Sequence, residues 1–104
     1  MTATDFTSLA GGRSALVLEN KDNVAIALSD LPASAEVTVT GADGRTWVVA
    51  VLEDIAFGHK FALADLAKDE PVIKYGEEIG RMSQPVPRGG WIHVHNLYCD
   101  RGMK

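Results

Sequence analysis

The chain has only one cysteine, Cys99. An internal disulfide cannot form, so this is not a stapled secreted miniprotein, and a reducing cytoplasm is the expected compartment. Long apolar runs are missing too. No segment approaches the roughly 18 consecutive apolar residues of a membrane span. Residues 1–13 are small and polar, with no basic stretch leading into an apolar one, so no signal peptide is expected. Positive charge is in short supply: Lys plus Arg number 10 against 14 Asp plus Glu, a formal charge of −4. That balance argues against a nucleic-acid binder, which needs clustered positive charge to track phosphates. There is no phosphate loop, serine elbow or Cys-x-x-Cys pair. At 104 residues the sequence suffices for one small domain and one core, not for a large cleft of its own.

What is present is turn-rich β sequence. Apolar residues make up 46% and charged residues 23%, with 10 glycines and 4 prolines, a globular composition broken at short intervals. Strands are expected over 15–18, 24–28, 36–40, 46–52, 60–63, 72–75, 78–82 and 91–97. Glu36-Val37-Thr38-Val39-Thr40 alternates with β-branched residues, as a half-buried strand does. No window supports a helix of ten residues, and Asp65-Leu66-Ala67-Lys68 predicts at most one helical turn. Short strands at this spacing make an all-β domain. It should span residues 14–98, between a leader over 1–13 and a tail over 99–104.

The chain also echoes itself. Asp30-Leu31-Pro32-Ala33-Ser34-Ala35-Glu36-Val37 aligns without gaps to segments starting at Asp54, Asp65 and Pro85. Each has an aliphatic anchor, then Pro or Ala, a turn, and the apolar start of a strand. The copies are too short and too unevenly spaced for a solenoid. They read as one turn device reused at several corners, with Gly, Asp or Ser tolerating the turn's exit.

Few residues offer chemistry. His93-Val94-His95-Asn96 is the densest polar group. On a strand, His93 and His95 would share a face and could hold a metal or an anion, although a zinc site wants three or four ligands. His59 follows Gly58, where backbone or ligand can come close; a plain turn histidine is the alternative. Lys74 opens Lys74-Tyr75-Gly76 and could act as a base or clamp a carboxylate, or be an exposed strand lysine. Gly80 marks a bulge or a close backbone crossing. Trp47 and Trp91 read as apolar mass in the core or an interface.

Several blocks occur together in a recognisable order: 22–28 (Asp22-Asn23-Val24 onward), Gly58-His59-Lys60, Lys74-Tyr75-Gly76, Ile79-Gly80 and His93-Val94-His95-Asn96. Over about residues 15–97 the sequence resembles the SAF domain of the altronate/galactarate dehydratase family, which in some members is a separate small subunit. It departs from the family at Ala56, at Ala33-Ser34 and Lys68-Asp69, and at Glu19-Asn20-Lys21, where a histidine is common. The resemblance implies a β-clip, a long hairpin folded over on itself. It also implies β-elimination from a hydroxy acid or sugar acid, of water or, in the sulfo-lyase type, of sulfite.

Such chemistry needs cations or a metal on the carboxylate and a base at the α-proton. The resemblance therefore implies catalytic roles for His59, Lys74, His93 and His95, and substrate contacts for Lys60, Tyr75 and Asn96. It allows a divalent metal in the complete enzyme, with His93 and His95 as ligands. The partner it implies is a large dehydratase subunit, without which this chain is expected to be inactive; self-association of the isolated chain is also expected. Two alternatives stand beside it: a non-catalytic SAF carbohydrate-binding or assembly module, and a metal-binding β-barrel. The lyase reading requires His59 to come within side-chain reach of His93 and His95.

Overall fold

The structure is a computed structural model and describes residues 14–99; the leader and most of the tail expected from the sequence lie outside the described residues. Nine strands form: β1 (Ser14–Leu16), β2 (Val24–Ala27), β3 (Glu36–Thr40), β4 (Thr46–Ala50), β5 (Lys60–Ala62), β6 (Pro71–Lys74), β7 (Glu77–Met82), β8 (Trp91–Ile92) and β9 (Leu97–Tyr98). Among the described residues there is no helix, and the all-β class read from the sequence is the class observed.

Two sheets result. The larger has the order β4-β3-β1-β2-β5-β8 and the smaller β6-β7-β9. Buried side chains form two clusters, one drawn from the larger sheet and its bridged turns, the other shared between the two sheets. Val37, Val39, Val49, Val51, Leu31, Ile55 and Phe61 fill one; Val24, Leu66, Val72, Met82, Val86 and Ile92 fill the other. The alternation in β3 is visible directly, with Val37 and Val39 fully buried and Glu36 exposed.

The internal echo is a structural device. Leu31 pairs with Ile55 and Leu66 with Val86 through isolated antiparallel bridges, so the four copies form two reciprocal pairs. Each copy closes the same i→i+3 turn: Ala35 N–H to Pro32 O, His59 to Ala56, Glu70 to Ala67 and Gly90 to Pro87, all 2.9–3.0 Å. The residue before each donor has a positive φ: Ser34 at 73°, Gly58 at 83°, Asp69 at 69° and Gly89 at 88°. That is the type II pattern. The first pair is laced by its aspartates, since Asp30 accepts from Phe57 N–H and Asp54 from Ala33 N–H. In the second pair Asp65 accepts from Arg88 N–H, but Pro85 occupies the matching aspartate position and cannot reciprocate. Within the Asp65 copy, Glu70 accepts the Ala67 N–H.

Two expectations need correction. Asp65 to Lys68 is not a helical turn: the anchor role of Leu66, bridged to Val86 in both directions, holds the backbone extended. The strand expected over 91–97 is broken. β8 stops at Ile92 and β9 begins at Leu97, because Asn96 folds 93–96 into a tight turn. Gly80 does mark both expected features. The register of β6 on β7 shifts there, and a Cβ at Gly80 would lie 2.6 Å from the carbonyl oxygen of Tyr98.

Candidate functional site

The register of β5 on β8 builds the site. Lys60 lies opposite Ile92 and Phe61 opposite Trp91, so continuing one residue outward sets His59 against His93. Their rings stack with centroids 4.7 Å apart and 22° between planes. Trp91 lies beside both, 5.3 Å from the His93 ring and 5.8 Å from that of His59. The ring of His95 tilts onto the same indole at 4.8 Å. The three histidines therefore gather round one tryptophan. His93 and His95 reach it from a turn, not from one face of a strand.

The turn has a visible cause. Asn96 is 4% exposed. Its side-chain oxygen accepts the N–H of His93, its amide donates to the carbonyl of Trp91, and its own N–H bonds His93 O. Both ends of the side chain are thus spent on the backbone. Asn96, expected to contact substrate, lies buried and braces the turn that carries His93.

Two lysines extend the cluster. Lys60 is half-buried on β5. Its ammonium is pushed below the ordinary lysine value, first by burial and then by the charge of Lys74. His93 is held below the ordinary imidazole value by desolvation, then by the charges of His59, Lys60 and His95. These mutual effects place Lys74, Lys60, His93, His59 and His95 in one electrostatic neighbourhood. Like charges so arranged each resist protonation, and a bound anion would relieve them.

A polar staple brings Lys74 in. Asp22 is 8% exposed and accepts the N–H groups of Glu19 and Gly76. Asn23 accepts from Ile73 N–H and donates to Pro71 O. Together they fasten β6 and its hairpin turn to β2. In that turn Tyr75 and Gly76 both have positive φ, at 57° and 78°, the type I′ arrangement of a two-residue hairpin. Tyr75 stands outward, 70% exposed, and among the described residues its ring joins no stack. Sequence reading took Asp22-Asn23 for a turn and Trp91 for apolar mass. The signals were present: Trp91 lies two residues before His93, and Asp-Asn is a pair that bonds backbone.

Among the described residues no group of three or more His, Cys, Asp or Glu converges on a point. No carboxylate is among the residues that shift His93 or Lys60.

Two open grooves are formed by the described residues, and only the first touches the cluster. One, of about 580 Å³, runs past His59 and Trp91 between Asp30 and Asp54. The other, of about 620 Å³, lies by Trp47, Asp43 and Arg45. Neither is lined by the lysines, so the cationic cluster is a surface patch.

A family model for the altronate/galactarate dehydratase SAF domain matches residues 13–100. The chain belongs to that family. It is 48% identical over 75 residues to altronate dehydratase of Escherichia coli, covering 72% of this chain and 14% of that protein. It is 47% identical over 57 residues to the (2R)-sulfolactate sulfo-lyase subunit alpha of Chromohalobacter salexigens, 55% of this chain and 61% of that one. The match to galactarate dehydratase (L-threo-forming) of E. coli is 37% over 75 residues, 13% of its length. The chain thus spans about a seventh of the dehydratases and under two thirds of the sulfo-lyase subunit it matches. These relatives are lyases. No helix among the described residues is long and apolar enough to cross a membrane.

Proposed function

We propose that this SAF domain is the small component of a hydroxy-acid lyase, contributing a cationic, histidine-rich half-site that a large dehydratase subunit completes. The observation that carries the reading is the gathering of His59, His93 and His95 round Trp91, with Lys60 and Lys74 close enough to act on them or on each other electrostatically.

The chemistry fits. The α-proton of a hydroxy carboxylate is very weakly acidic, and its removal places a second negative charge on the carboxylate. Lys60 and Lys74, already repelling one another, gain from that charge most when it is largest, which is transition-state stabilisation. His93, kept neutral by its surroundings, has the protonation state of a general base at pH 7. The departing β-hydroxyl or sulfite needs a positive or donating group, a role open to His95, the exposed histidine. Tyr75, outward on its hairpin, faces the substrate's far end or the large subunit. The substrate class is the sugar acid or sulfonated hydroxy acid named in the relatives. A divalent metal in the complete enzyme would need ligands from the large subunit, and no step here passes through it.

The test is to assay the purified chain alone and with the large lyase subunit of its own source. The substrates are altronate, galactarate and sulfolactate, and the readout is the 2-keto acid or sulfite formed. The lone chain should give no turnover and the pair should. Robust turnover by the chain alone would defeat the reading.

A further inference from the structure

We infer that Trp91 is a positioning residue for His59, fixing which ring nitrogen carries the proton and making His59 a hydrogen-bond donor to the ligand instead of a base. The functional half of this rests on the lyase reading above; the tautomer half does not.

An indole N–H can only donate. That of Trp91 ends on Nδ1 of His59 at 3.2 Å. Nδ1 must therefore be the acceptor, and the proton of the neutral ring sits on Nε2. The backbone leaves the ring little choice of direction. His59 N–H bonds Ala56 O, and His59 O accepts from Ala27 N–H. Trp91 is fixed in turn, its own N–H held by the carboxylate of Glu53 at 2.9 Å. A proton on Nδ1 would set N–H against N–H and break the bond. The charged and titratable groups around His59 divide by side. His93 stacks on it, with Lys60 next along β5. Asp30 and Asp54 line the groove beside it, each already accepting a backbone N–H.

A ring protonated at Nε2 and blocked at Nδ1 has no lone pair for an α-proton. What it offers is a neutral N–H, suited to a carboxylate or hydroxyl oxygen. It remains neutral throughout, since surrendering that proton would leave an imidazolate. Proton abstraction then falls to His93.

The tautomer can be read from two-bond ¹⁵N–¹H correlation spectra of the uniformly labelled chain, with no ligand present. His59 should show a protonated Nε2 and a bare Nδ1. In Trp91→Phe the two tautomers should mix. A proton on Nδ1 in the parent chain overturns the inference, even if Trp91→Phe proves unfolded. So does a Trp91→Phe variant with an unchanged tautomer. The donor role is read in the assembled lyase. The side-chain amide of glutamine can replace an Nε2–H but not a base. His59→Gln should retain activity within tenfold of the parent, whereas His59→Ala should lose a hundredfold or more. Equal losses in both variants overturn the donor role. Full activity in both removes His59 from the lyase site altogether, while the tautomer result stands or falls by the spectra.

Discussion

His93 and Lys60 carry opposing consequences for stability and function. His93 is a base whose affinity for protons is lower folded than unfolded, with desolvation the first cause. The unfolded chain therefore binds more protons in the imidazole range, and stability rises with pH there. That stability is complete above the unfolded value of about 6.5 and is lost as pH falls through it toward the folded value. Urea midpoints measured between pH 5 and 8 should show this slope, and His93→Gln should flatten it. Asp43 and Asp69, lowered by their bonds to Arg45 and Tyr98, act separately at more acidic pH. Lys60, half-buried beside Lys74, is a charge the fold would be better without. Lys60→Met should raise the thermal midpoint by roughly 1–3 °C, given that about 1 kcal/mol moves a domain of this size by about 4–8 °C and solvent screens much of the penalty. The same change should cost the assembled lyase at least tenfold in kcat/KM.

The repeated turn governs the elements, and its copies make unequal demands. Gly89 has a φ of 88°, and a Cβ there would run into the carbonyl oxygen of Ala50. Gly89→Ala should therefore destabilise by about 3 kcal/mol or more, from strain and clash together. Ser34 holds the equivalent conformation at 73° with a side chain, so Ser34→Gly should stabilise by about 0.5–1 kcal/mol. Asp69→Gly should gain less, since it forfeits the 2.7 Å bond from the Tyr98 hydroxyl. Denaturant midpoints of the three variants test the ranking. Asn96→Ala, which strands the His93 N–H and the Trp91 carbonyl, should cost about 1–3 kcal/mol.

Much of this was legible in sequence. β3 declared itself by alternation, the four corners by their echo, Gly80 by its setting, and the family by its ordered blocks. The turn at 93–96 was not legible, because its apolar and polar residues alternate as a strand's would. Only the burial of Asn96, a tertiary fact, decides against the strand. Trp91 was misjudged for a related reason: composition assigns an indole to the core, and only the register of β5 on β8 sets its N–H against His59. Lys74 was legible as a candidate, but its approach to Lys60 depends on the Asp22-Asn23 staple, whose partners lie about fifty residues away.

At the scale of the whole molecule, the larger sheet holds His59, Lys60 and Trp91, and the smaller holds Lys74 at the end of β6. The link between β8 and β9 that joins the two sheets carries His93 and His95. The cationic patch thus lies where the two halves of the domain meet, and it remains open. An isolated fold gains nothing by collecting like charges at such a seam, which supports the proposal of an anionic substrate and a completing partner. One comparison bears on this most directly: kcat/KM of the assembled lyase carrying His93→Ala, set against the thermal midpoint of the His93→Ala chain by itself. The account predicts a loss of a hundredfold or more in activity with a midpoint within a few degrees of the parent. Retained activity, or a loss of activity that follows the loss of stability, would contradict it.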